Sequence, residues 1–121
     1  MKVKIDTKEK FHVITIEEDS LPANMTEELK NLFLSFLDKS PCNLIINFTN
    51  VHQLDAYIAD AMATTQQTFY DANCSMVFCG LRPEVETFLD DKELLEIMNI
   101  TPTESEAWDI VQMEEIEREL F

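Results

Sequence analysis

Two histidines, His12 and His52, and three cysteines, Cys42, Cys74 and Cys79, are the side chains here best suited to nucleophilic or proton-transfer chemistry near neutral pH. His52 and Asp55 lie three positions apart in "HQLD", close enough in sequence to share a hydrogen bond and form the base-and-orienter half of a catalytic triad. No nucleophile stands beside them, since Cys74 belongs to a different segment, and a surface histidine next to a helix cap explains the pair more simply. The cysteines are odd in number and form no CxxC pair, which fits reduced thiols better than a disulfide framework or a metal site. The acidic clusters "EED" (17–19) and "DD" (90–91) lack calcium-loop spacing and read as solvated faces. A single glycine, Gly80, excludes the GxGxxG and GxxxxGK[ST] nucleotide loops. With no catalytic constellation, the expectation is a protein that is not an enzyme and uses no cofactor or metal.

Charge narrows the partners. Twenty-four acidic residues against nine Lys and Arg give a formal net charge of −15, which repels phosphate backbones and anionic membranes. Nucleic acid is therefore disfavoured, and a basic protein partner would be steered in. No apolar run reaches the roughly 18–20 residues of a membrane span, and "MKVKIDTKEKF" lacks the apolar core of a signal peptide. No membrane insertion and a cytoplasmic location are expected. In that setting the Asn-x-Thr sequons at Asn24, Asn47 and Asn99 are coincidental.

The elements that must position any site follow from periodicity. Lys2 to Asp6 and Phe11 to Glu17 are β-prone, and the short link "TKEK" predicts an antiparallel hairpin. "DSLPANMTEEL" reads as a loop entering a helix, with Asn24 and Glu27 at capping-box spacing and Thr26 as a competing cap. Met25, Leu29, Leu32, Phe33, Phe36 and Leu37 then recur at helical intervals until Ser40 and Pro41. Leu44 to Phe48 and Ser75 to Cys79 are short apolar runs of the kind buried on both faces of a parallel sheet. Between them Asp55 caps a helix whose inner face is Ile58, Ala61, Met62, Thr65 and Phe69. Pro83 opens a third helix with Val85, Phe88 and Leu89 inward, followed by an acidic continuation with Leu94, Leu95 and Met98. Asn99 to Thr101 reads as an edge strand, and Thr103 with Glu106 opens a last helix carrying Ala107, Ile110, Val111 and Glu114. Residues 1–121 are expected to form a single α/β domain, a mixed four- to five-stranded sheet with helices packed on it.

With these elements in place, "LIINFTNVHQLDAYIADAM" resembles the central motif of STAS domains, the fold shared by anti-sigma factor antagonists and the cytoplasmic parts of sulfate transporters. Asn47 stands where that family often has the strand's aspartate, Thr49, Asn50 and Val51 stand at its Ser-Gly-Val stretch, and Asp55 matches the motif aspartate. "SMVFCGLRPEVETFL" is similar to the next strand and helix, with Pro83, Val85 and Leu89 in place, and "TPTESEAWDIV" to the last helix, with Ala107 at a frequent small position.

The resemblance implies a protein partner, an anti-sigma factor or kinase-like regulator, met at the helix start by Asn24, Asp55, Ala56, Tyr57 and Ile58. In regulatory members a serine there is phosphorylated, but the two family serines fall on Ala56 and Tyr57 and the following glycines on Ile58 and Asp60. The phosphoacceptor is thus expected to be lost, leaving Tyr57 as an aromatic anchor. A displaced acceptor at Thr64 or Thr65 is a lesser alternative. A third is an accessory STAS subunit of a transporter, of the lipid-transport type, or of another multi-protein assembly. Self-association as a homodimer is left open.

Overall fold

A computed structural model describes residues 1–120. In chain order it contains β1 (Val3–Thr7), β2 (His12–Ile16), β3 (Ser20–Leu21), a 3-10 turn (Ala23–Met25), α1 (Thr26–Leu34), β4 (Leu44–Asn47), β5 (Gln53–Leu54), α2 (Ala56–Asp71), β6 (Met76–Cys79), α3 (Pro83–Asp91), β7 (Ile100–Thr101) and α4 (Glu104–Leu120). Five strands form one mixed sheet in the order β1-β2-β4-β6-β7, antiparallel at β1–β2 and parallel elsewhere. The expected hairpin, buried strands, edge strand and four helices are present.

The central strands show why their sequences do not alternate. Val13, Ile45 and Val77 lie in register and pack under α4 with Ala107 and Val111. Their neighbours Ile14, Ile46 and Phe78 are also in register and enter the larger core made with Leu29 and Phe33 of α1, Ile58, Met62 and Phe69 of α2, and Val85 and Leu89 of α3. Successive side chains point to opposite faces, so a strand covered on both must be apolar throughout. No helix among the described residues is long and apolar enough to cross a membrane.

Helix ends follow local chemistry, with one exception. Asn73 and Glu93 take left-handed φ values of 63° and 61° after α2 and α3. In each case the following amide reaches back to the helix, Cys74 N–H to Phe69 O at 2.8 Å and Leu94 N–H to Leu89 O at 2.9 Å, the bond that defines a Schellman stop. The acidic stretch after Asp91 therefore does not continue α3. Thr103 Oγ1 accepts the Glu106 N–H at 3.2 Å, as the spacing predicts. The cap expected at Asn24 or Thr26 does not form: the 3-10 turn runs straight into α1, so Met25 in helical geometry occupies the cap position, and Thr26 Oγ1 donates to Ala23 O instead.

Two further features differ from the sequence reading. Ser20–Leu21 and Gln53–Leu54, both read as loop, pair as a separate two-stranded parallel ribbon. Cys42 and Cys74, expected to be reduced, form a disulfide, and only Cys79 is free. The pairing follows from register. Leu44 lies opposite Met76, so two residues earlier Cys42 lies opposite Cys74, with Cα atoms 5.7 Å apart.

Candidate protein-interaction site

The carboxyl ends of β2, β4 and β6 converge on the start of α2. Asp55 is extended (φ −79°, ψ 158°), and its side chain accepts the Tyr57 N–H at 2.9 Å. Its own amide donates to Leu21 O at 2.9 Å, so the β3–β5 ribbon holds the cap in place. A carboxylate here offsets the unpaired amides and the positive end of the helix dipole.

The next three residues diverge. Ala56 is half-buried, Tyr57 is 70% exposed, and Ile58 is fully buried with Ala59. The inward face continues through Met62, Thr65 and Phe69. Ile58 is thereby removed from any contact surface, although the resemblance had grouped it with the surface residues. Ala61, expected inward, is only half-buried, and Ala59 takes its place. Asn24 is exposed on the 3-10 turn, which packs against α2.

The turn after β4 is built by side-chain-to-backbone bonds. Asn47 Oδ1 accepts from the Thr49 N–H at 2.8 Å and from the Thr49 hydroxyl. Arg82 Nε donates to Thr49 O at 2.9 Å. Gly80, at φ +69°, passes so close that a Cβ there would lie 2.6 Å from Thr49 Oγ1. The sequence reading missed this Arg82–Thr49–Gly80 contact; the sole glycine was its one visible signal.

The residues suspected of chemistry do not assemble. His52 does not bond Asp55. Its Nε2 lies 3.5 Å from Asp19 and its Nδ1 3.4 Å from Glu84, because the β3–β5 pairing turns the ring toward the β2–β3 loop and α3. His12 is buried between the Thr7 hydroxyl, 2.9 Å from Nδ1, and Pro41 O, 2.8 Å from Nε2. A carbonyl only accepts, so Nε2 carries the proton and the ring is a structural staple. Cys74 sits beyond the far end of α2 in its disulfide. Burial, and then Glu104, push the Cys79 thiol up to about 11. Thr65 is buried, and the Thr64 hydroxyl donates to Asp60 O at 2.8 Å. The arrangement offers an exposed aromatic ring on a capped, internally braced helix start, which is suited to contact.

The STAS domain family model matches residues 2–107. No curated protein sequence matches the chain. Among solved structures, a Thermotoga maritima protein described as an anti-sigma factor antagonist is similar at TM-score 0.76 and 18% identity, covering 91% of this chain and 94% of its own. SpoIIAA, an anti-sigma factor antagonist in its unphosphorylated form, is similar at TM-score 0.72 and 16% identity over 92% of this chain and 96% of that one. The murine solute carrier 26 family member A9 anion transporter is similar at TM-score 0.73 and 13% identity, over 89% of this chain but 18% of the transporter. At such identities the likeness is one of fold. The family match spans the whole sheet, α1 to α3 and the first turn of α4, which means that this chain belongs to the STAS domain family.

Proposed function

We propose that this chain is a non-enzymatic protein-binding domain of the anti-sigma factor antagonist type, with residues 1–121 acting as one domain and the start of α2 as its partner face. The observation that carries this reading is Tyr57, a ring 70% exposed on a helix start that the rest of the fold braces. Asp55, Ala56 and Asn24 flank it, and Ile58 anchors the turn from below. Aromatic side chains held this way dominate many interfaces. The partner is an anti-sigma factor or a kinase-like regulator, and the net charge of −15 speeds its approach if its face is basic. Because Ala56 and Tyr57 occupy the family's acceptor positions, the domain stays in a binding form that phosphorylation does not switch.

The test is Tyr57→Ala, with affinity for the cognate anti-sigma factor read by calorimetry. A loss of about 30-fold, the scale of a 2 kcal/mol hot spot, is expected; unchanged affinity rejects the anchor. Incubation with the cognate kinase followed by mass spectrometry should add no phosphate at Thr64 or elsewhere. The likeness to a transporter's STAS region favours a second reading, an accessory subunit of a transporter assembly. Co-purification with a membrane ATPase complex in place of a soluble regulator would select it.

A further inference from the structure

The two edges of the main sheet differ. β7 is two residues long, whereas β1 runs for five, and β1 pairs with β2 alone, so among the described residues its outer edge meets no strand. Lys8 N–H donates to Phe11 O at 2.8 Å and Glu17 N–H to Lys2 O at 2.9 Å, which marks Lys8–Phe11 and Lys2–Glu17 as bonded pairs at the two ends of the β1–β2 ladder. Bonded and non-bonded positions alternate along an antiparallel pair. Lys4 and Asp6 therefore turn their backbone groups to β2, and Val3, Ile5 and Thr7 direct N–H and C=O outward from the sheet. An edge of unpaired backbone groups is a template for another strand.

The side chains on that edge select what can pair there. Ile5 is 44% exposed, and on the other face of the strand the Lys4 and Asp6 side chains are 67% and 47% exposed, with Lys4 Nζ 3.9 Å from Asp6 Oδ2. A lone lysine on an edge deters pairing. Here an aspartate stands two residues on, so Val-Lys-Ile-Asp-Thr is complementary to itself when reversed. Set antiparallel about Ile5, a second β1 places Asp6 opposite Lys4, Ile5 opposite Ile5 and Thr7 opposite Val3. The outward amides and carbonyls of Val3, Ile5 and Thr7 then meet as bonded pairs, and Lys4 and Asp6 fall at the closer, non-bonded positions. A register slid by one residue no longer sets bonding groups against bonding groups. One slid by two sets Lys4 against Lys4 or Asp6 against Asp6. Lys2, Lys4, Lys8 and Lys10 outnumber Asp6 and Glu9 along the hairpin, so the strongly acidic character of the chain does not extend to this edge. The like-charged pair of the favoured register, Lys2 against Lys8, lies beyond the strand ends with both residues exposed.

We propose that the free edge of β1 pairs antiparallel with β1 of a second copy of this chain, joining two five-stranded sheets into one continuous sheet. The two-fold axis passes beside Ile5, and Lys4 and Asp6 of the two copies alternate in sign around it. Opposite charges facing across the strands favour this pairing over any edge that lacks them. The interface is one strand wide, at the small end of specific contacts, so the dimer is weak and reversible. It uses no residue of α2 and therefore stands or falls independently of the partner face proposed above.

Sedimentation equilibrium on the full chain, from about 10 μM to 1 mM, tests this, and the unaltered chain should pass from monomer toward dimer within that range. Lys4→Asp and Asp6→Lys each set like charges across the axis, and each alone should weaken association about tenfold or more. An equimolar mixture of the two variants restores opposite charges at both crossings, as does the double variant Lys4→Asp/Asp6→Lys. Both should associate within about threefold of the unaltered chain, which a mere change in net charge would not produce. Both side chains are largely exposed, so the variants keep the fold, as circular dichroism would verify. In hydrogen exchange the amides of Val3, Ile5 and Thr7 should gain protection as concentration rises, while those of Lys4 and Asp6, bonded to β2, stay protected throughout. A chain that remains monomeric at about 1 mM overturns the proposal. So does a dimer that both single variants retain, or one that the mixture fails to restore, since either would lie on another face.

Discussion

At their amino ends β4 and β6 are joined twice over, by the Cys42–Cys74 disulfide and by the buried Asn43 side chain, whose Oδ1 accepts the Ser75 N–H at 2.8 Å. The Asn43 amide also donates to Lys10 O at 3.0 Å and Glu115 Oε1 at 2.6 Å, tying the β1–β2 hairpin and α4 to the same point. At their carboxyl ends the same strands are held by lighter means: the Asn47–Thr49 turn, the Arg82 bond and the Asp55 cap, all largely exposed. The free cysteine, Cys79, lies at this second end. The clamps that hold the sheet are thus kept apart from the face that carries Tyr57. A surface change at the carboxyl end should alter recognition at little cost in stability, and a change at the amino end should do the reverse.

The largest effect expected from this asymmetry is loss of the disulfide. A sequence separation of 32 residues corresponds, by loop-closure entropy, to about 3.5 kcal/mol. The Cys42→Ser/Cys74→Ser double variant should show that loss in denaturant midpoints, and a loss under about 1 kcal/mol would remove the amino end's advantage. Asn43→Ala comes next. It strands the Ser75 amide and the Lys10 carbonyl, so about 2–3 kcal/mol should be lost by the same measurement. At the carboxyl end, Asp55→Ala removes a single cap and should cost only about 1 kcal/mol. A cost matching Asn43→Ala would erase the contrast.

Smallest, when read below pH 9, is the pH response of Cys79. Its folded thiol titrates near 11, above its ordinary value of 9.0, so above pH 8 the unfolded chain releases the proton first. Stability falls as pH rises from about 9 toward 11, with about a few tenths of a kcal/mol already lost between pH 8 and 9. Cys79→Ala should flatten that slope. The intact thiol should meanwhile resist alkylation at pH 8 until the chain unfolds.

Much of this was legible before any coordinates. Leu44–Ile46 and Met76–Phe78 announce doubly covered strands because no polar residue interrupts them. Asp55 announces a cap because its short carboxylate matches what the first amides of a helix lack. The β3–β5 ribbon was not legible, since two-residue strands carry no period. Nor was the failure of the Asn24 cap, which depends on the turn entering α1 in helical geometry.

The sequence alone determined the order of the five strands of the main sheet and the four helices, most of the inward-facing helix positions and the strongly acidic character, because each depends on residue type or on periods shorter than one element. Only the tertiary structure decided that Cys42 meets Cys74, that His52 turns from Asp55 to Asp19 and Glu84, that Ala59 takes the inward place expected of Ala61, and that Glu114 Oε1 is left without a donor among the described residues. These depend on parallel register and on the packing of elements far apart in the chain, which no local pattern encodes.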